Sequence, residues 1–197
     1  MRPFNGYKPQ KQGGTREILP AGGYIAKILN AEEKNYTWGN VLLISFDIAE
    51  GEHAGFFNAD YQNNTNEDRR WRGTFWLHIP KDDGSEKDGW TKNTFNGAIW
   101  AIEESNPGYA WNWDEKTLKD KMVGVLFRNE EWRSSNTGNT GWDTKCCKLE
   151  SIEDIRNGKF KIPKDKPLAN KPVQSEPDFA PVEDNDTKLP WETDGAL

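Results

Sequence analysis

From Asn40 onward, Leu42, Ile44, Phe46 and Ile48 recur at every second position with Ser45 and Asp47 between them, the period of a strand with one buried face. Gly22-Gly23 open an earlier run, Tyr24 to Leu29, whose weaker alternation predicts a strand covered in part on both faces. Together they read as a strand pair spanning Gly22 to Ala49, joined by a long loop from Glu32 to Asn40. That loop carries Lys34, Tyr36 and Trp38 without an apolar neighbour to bury the rings, so another molecule is expected to use them.

Downstream, His53 to Asp60 is short, and Phe56-Phe57 fit the extension of a third strand, while Tyr61 to Asp68 has the composition of a loop. Arg69 to Pro80 then separates by parity into two faces. Phe75, Leu77 and Ile79 are expected in the core, and Arg70, Arg72, Thr74, Trp76 and His78 form a cationic and aromatic strip opposite them. Lys81 to Asp88 reads as a charged turn. Thr91 to Asn106 is the one segment with convincing helical spacing, through Phe95, Ala98, Ile99 and Ile102, with Thr91 or Asn93 as its cap and Asn106-Pro107-Gly108 as its stop. Tyr109, Trp111 and Trp113 follow in an irregular link, and two further strands are predicted over Lys121–Asn129 and Trp142–Ile152, with a hairpin loop from Arg133 to Gly141.

The ends of the chain carry neither period. Residues 1–19 are polar and read as a flexible or loosely docked arm, residues 20–163 as the folded domain, and residues 164–197 as a disordered proline-rich acidic tail. Hydrophobic residues make up 34% of the 197 and mean hydropathy is −0.95, which suits one domain with part of the chain outside it. The net charge of −6 belongs to the tail: Val173 to Leu197 hold seven acids and one lysine, leaving 25 acidic and 25 basic residues before them. An acidic pI therefore does not argue against nucleic acid for the body. Cys146 and Cys147 are adjacent, and neighbours on a strand face opposite ways, so reduced thiols and a cytoplasmic location are expected. No apolar run approaches the length of a membrane helix.

Strand, strand, strand, helix, strand, strand is the order of an OB-fold, a five-stranded Greek-key barrel with its helix between strands 3 and 4. The tail adds a second feature: Glu183, Asp184 and Asp186 precede the apolar cluster Leu189-Pro190-Trp191. In these two respects the chain resembles the OB-fold single-stranded DNA-binding proteins of bacteriophages and bacteria, by strand pattern over residues 20–155 and by the acids and apolar cluster of the tail. The resemblance implies sequence-independent binding of single-stranded DNA in replication or recombination, with RNA left open. It also implies that the tail recruits partner proteins through Asp184, Asp186, Leu189, Pro190 and Trp191. Six residues follow Trp191 and Lys188 interrupts the acids, which departs from the usual arrangement at a C-terminus.

Ten tryptophans require an account. Trp71 and Trp100 fit the core or its edge, whereas Trp38 and Trp76 are candidates for base stacking, joined by Tyr36, Tyr61 and Trp132. Lys34, Arg69, Arg70, Arg72, Arg128 and Arg133 are the candidate phosphate contacts, weighed against ordinary surface charges paired with nearby acids. The Arg69-Arg70-Trp71-Arg72 run stands out, because three guanidinium groups so close repel one another unless an anion lies between them. Catalysis lacks an inventory: two histidines and one cysteine dipeptide supply no zinc set, and there is no phosphate-cradling loop or nucleophile elbow. No cofactor or metal is expected, and the reading is of a binding protein, not an enzyme. The alternatives are a carbohydrate-binding module, which leaves the arginines unexplained, and a phage-encoded inhibitor or scaffold that acts through its tail.

Overall fold

Strand β1, Gly22–Tyr36, is the axis of the molecule, because it is long enough to pair with a different strand along each half. Its first half, Gly22 to Lys27, pairs antiparallel with β4, Met122–Arg133, and its second half pairs antiparallel with β2, Gly39–Ile48. With β3, Thr74–His78, and β5, Thr140–Glu150, they make one five-stranded antiparallel sheet in the order β3-β2-β1-β4-β5. The computed structural model describes residues 17–65, 69–135 and 137–168.

A bulge between Ile28 and Asn30 inverts the parity of β1, so that Ala26 and Ile28 and then Ala31 reach the core while Leu29 turns outward. That inversion blurred the alternation in the sequence, and bulges of this kind bend a strand as it changes partners. β2 keeps its predicted parity, with Leu42, Ile44, Phe46 and Ile48 buried. The hairpin differs from the expected long loop. Pairing continues to Tyr36 and Gly39, leaving only Thr37 and Trp38 to turn, so Lys34 and Tyr36 lie on a strand and Trp38 at its tip.

The Phe56-Phe57 segment is a helix, α1, Phe56–Asn63, where a strand extension was expected. Its first turn has no side-chain cap of its own; the Asp47 carboxylate of β2 accepts hydrogen bonds from the amides of Phe57 (2.9 Å) and Asn58 (3.2 Å). A cap supplied from another strand leaves no local signal. The third strand is also shorter than predicted, and Gly73 shows why. A Cβ there would stand 2.2 Å from the Phe46 carbonyl oxygen, and the Gly73 carbonyl accepts from the Phe46 amide at 2.8 Å, so Gly73 lies flush against β2 at the point where the strand begins. Trp71 Nε1 donates to the carbonyls of Phe46 and Gly73, both at 3.1 Å, so an indole takes the Phe46 carbonyl where the backbone ladder would otherwise continue.

Between strands 3 and 4 lies α2, Glu86–Ser105, which buries Phe95, Ala98, Ile99 and Ile102 as expected. It starts earlier than Thr91 because Ser85 caps it, its hydroxyl accepting from the Asp88 amide at 3.1 Å, despite Gly89 in the second turn. Asn106 ends it and ties it to β4, donating to the carbonyls of Ile102 and Met122 and accepting from the Met122 amide. A 3-10 turn, Glu115–Leu118, and a third helix, α3, Ile152–Arg156, complete the elements, so α2 is not the lone helix the periodicity predicted. Leu19 is buried in the core, and the chain continues beyond Pro163 to Leu168, both within the described residues. Trp100, expected in or near the core, is half exposed on α2. Among the described residues no helix is long and apolar enough to cross a membrane.

Candidate functional site

The hairpin tip and the outer face of β3 bring four rings together. Tyr36 stacks on Trp38, with centroids 4.9 Å apart and planes 4° apart, and on Trp76, at 5.7 Å and 21°. Trp38 in turn meets His78 at 5.4 Å and 56°. The strand register explains the gathering. Tyr36 pairs with Gly39, His78 with Val41 and Trp76 with Leu43, which sets the three side chains on one face at neighbouring positions. Val41 shares that face and is fully buried, so the rings roof the sheet, yet Trp38 is 51% exposed and Trp76 47%. Flat ring surface is thus presented to solvent from a rigid base.

Beside this cluster, a groove of about 1000 Å³ runs between the two edge strands, β3 and β5. Trp76 and His78 belong to both cluster and groove, and the groove carries Arg70, Arg72, Arg128, Lys145 and Lys166 against the carboxylates of Glu130 and Asp143. Cations exceed acids here, in a chain whose net charge is −6.

The acids in the groove hold the cations in place. Glu130 accepts from Arg128 Nε at 3.0 Å and Nη2 at 2.6 Å, and its carboxylate lies 3.5 Å from Lys145 and 3.8 Å from Lys166. Burial pushes the Glu130 carboxyl up, but the Arg128 hydrogen bond and the charges of Lys166, Arg128 and Lys145 outweigh it and hold the group below the usual range. Lys166 is held by its backbone as well: its amide donates to the Asn129 carbonyl and its own carbonyl accepts from the Glu131 amide, both at 2.9 Å. This part of β4 lies beyond its pairing with β1, so the segment after Pro163 occupies an edge that would otherwise be open.

The three arginines of the Arg69 to Arg72 run part company. Arg69 lies over the Tyr61 ring at 4.6 Å. Arg72 sits between Asp60, at 3.8 Å, and Asp143, at 3.7 Å. The repulsion is therefore relieved within the chain, and no external anion is needed to explain the run. Arg70 is exposed in the groove and makes no ion pair among the described residues. Lys34 pairs with Glu32 on the first strand, away from the groove lining. Tyr61, on α1, leans on Trp71 at 5.9 Å. Trp132 and Arg133 stand at the far end of β4, where the indole lies across Gly141, a Cβ on which would come within 2.8 Å of the ring. Asp184, Asp186, Leu189, Pro190 and Trp191 lie outside the described residues.

Sequence reasoning missed Lys145, Lys166 and the exposed Trp142 of β5, and it cast His78 only as part of a strip. Parity along β5 would have pointed to Lys145, but a bulge that leaves Cys147 without a partner on β4 disrupts it. Nothing in the sequence signals that Lys166 docks on β4. Both cysteines are free thiols lining the groove, and burial raises that of Cys146 far above the ordinary range, which keeps it protonated. Trp90, Trp100 and Trp113 are exposed on or near α2, outside the groove. Among the described residues no three His, Cys, Asp or Glu side chains cluster as metal ligands would. The chain matches no protein-family model and no curated protein.

Proposed function

We propose that this protein binds single-stranded nucleic acid, DNA in the first instance, without regard to sequence and without catalysing a reaction. The observation that carries the reading is the continuity of exposed rings and cationic groove through Trp76 and His78. Bases of an unpaired strand expose π faces that stack on flat rings, and their phosphates need cations spaced alongside. Trp38 and Trp76 serve as stacking surfaces and Tyr36 holds them. Arg70, Lys145 and Lys166 contact phosphates, and Arg72 and Arg128 are positioned by their acids to do the same.

The strand order and the helix between β3 and β4 agree with an OB barrel closed between β3 and β5, the fold in which this ring and groove arrangement lies across the ligand face. A cationic lining favours a polyanion over a neutral oligosaccharide, the other polymer that stacks on tryptophan. We further propose that the tail recruits replication or recombination proteins, with Leu189, Pro190 and Trp191 as the apolar anchor and Asp184 and Asp186 meeting a basic surface, and that the protein works in the cytoplasm of a bacterial, including phage-infected, cell. A gel-shift series with oligo-dT of increasing length, repeated against a duplex of the same length, tests the binding. Retardation of the single strand supports the reading, and equal or stronger retardation of the duplex overturns it. For the tail, capture of purified bacterial replication proteins by the full chain but not by a chain ending at Ala180 is the supporting result.

A further inference from the structure

A second cavity, of about 400 Å³, shares His78 with the groove and reaches the start of α2. It falls in the size range of small-molecule sites, roughly 300–1,000 Å³. Trp38 and His78 contribute the rings of its lining, and Asn40, Lys81, Lys87, Asp83 and Asp88 the polar groups. His78 lines both this cavity and the groove, so the two are neighbours through a single side chain.

The charges around the cavity are not alike in their commitments. Asp88 is buried, with one carboxylate oxygen accepting from the amides of Lys81 at 2.8 Å and Asp82 at 3.2 Å and the other 3.1 Å from Lys92 Nζ. Burial alone would raise its carboxyl, but the hydrogen bonds from Lys92 and the two amides overcome that and hold it below the usual range. Asp83 accepts from the Ser85 amide at 2.9 Å, and Asp82 is paired with Lys92. Lys81 and Lys87 are exposed and make no ion pair among the described residues. The acids are thus occupied in shaping the turn from Lys81 to Ser85; Lys81 acts through space on Asp83, but neither it nor Lys87 is held in an ion pair among the described residues, which leaves both ammonium groups able to meet an anion. The Trp38 and His78 rings of the same lining, meeting at 56°, offer a face to a planar group.

We propose that this cavity is a further nucleotide subsite, holding one more residue of a strand that leaves the groove past His78, with its base against Trp38 and His78 and its phosphate between Lys81 and Lys87. The inference rests on the nucleic-acid reading of the groove. It implies that affinity gains a distinct increment once an oligonucleotide is long enough to reach from Arg70, past His78, to Lys81.

The test is fluorescence anisotropy with oligo-dT lengthened one nucleotide at a time, for wild type, the Lys81→Gln/Lys87→Gln double variant and the groove variant Arg70→Gln. The double variant is expected to bind short oligonucleotides within about twofold of wild type and longer ones at least about fivefold more weakly, with a salt slope lower by about 0.7 for each lysine withdrawn from a phosphate. Arg70→Gln is expected to weaken every length. Both lysines are exposed, so unchanged melting temperatures verify that the variants fold. An equal loss at all lengths, or none, overturns the subsite and leaves the groove reading standing, whereas a wild type that binds no oligonucleotide overturns both.

Discussion

Tyr36→Ala probes the ring cluster at its common member. The phenol ring takes part in both stacked pairs, with Trp38 at 4.9 Å and with Trp76 at 5.7 Å, so its removal leaves each indole without its parallel neighbour. Aromatic pairs contribute about 0.5–1.5 kcal/mol each beyond area burial, which sets a stability loss of roughly 1–3 kcal/mol. The lower half of that range applies, because Tyr36 is 38% exposed and lies at a hairpin end. At about 2–4 °C per kcal/mol for a domain of this size, the melting temperature should fall by roughly 2–8 °C. Binding should suffer more. A stacked base is worth about 1–3 kcal/mol, and if Tyr36 holds both indoles in register at least one base goes unstacked, a weakening of roughly fivefold or more. Tyr36→Phe retains both ring stacks and should match wild type in melting temperature and affinity. The measurements are thermal melting by circular dichroism and anisotropy titration with labelled oligo-dT. Wild-type affinity in Tyr36→Ala would show that the cluster is not the stacking surface, and equal weakening in Tyr36→Phe would assign the effect to the hydroxyl instead of the ring.

Arg70→Gln should weaken DNA binding, lower its salt slope by about 0.7 and leave stability unchanged, whereas Arg72→Gln should also lower the melting temperature by removing the ion pairs to Asp60 and Asp143; the same melting curve for both would remove the distinction drawn between them. Gly73→Ala should destabilise by about 1–3 kcal/mol or more, read by urea unfolding, since its Cβ would stand 2.2 Å from the Phe46 carbonyl and a near-neutral result would mean that this backbone contact is loose. Glu130, Asp88, Asp83 and Asp120, the last through its hydrogen bond from Lys27 at 2.7 Å, are all held below the usual carboxyl range in the folded state. The stability they contribute is therefore full at neutral pH and is lost as pH falls through those lowered values, so melting temperature should decline on acidification, and less steeply in Glu130→Gln; a flat acid limb would contradict the linkage.

Where the determinants of an element lay within a few residues, the sequence was readable. Alternation located β2 and the two faces of β3, and helical spacing found the buried stripe of α2 from Phe95 to Ile102. What failed depended on contacts distant in the chain. Asp47 caps α1 from β2, the Trp71 indole takes the Phe46 carbonyl where β3 begins, and bulges in β1 and β5 break the parity that a strict two-residue period assumes. The site followed the same division. Trp38, Trp76, Arg70 and Arg72 emerge from local pattern, and the structure brings Trp76, Arg70, Arg72 and Arg128 to one groove with Trp38 beside it. The joining of Lys166 to that groove depends on a strand-edge contact with Asn129 and Glu131, which residue type alone does not announce. The run from Arg69 to Arg72 shows the opposite error: density of charge in sequence overstated the need for an external anion, because Tyr61, Asp60 and Asp143 answer two of the three cations.

The most direct test of nucleic-acid binding is the intrinsic tryptophan fluorescence of the full chain, titrated with oligo-dT at several salt concentrations and, in parallel, with a neutral oligosaccharide. Exposed Trp38 and Trp76 should be quenched saturably by the DNA and not by the sugar, and the logarithm of the binding constant should fall linearly with the logarithm of salt, by about 0.7 for each phosphate contacted. Quenching by the sugar alone, or DNA binding indifferent to salt, would contradict it.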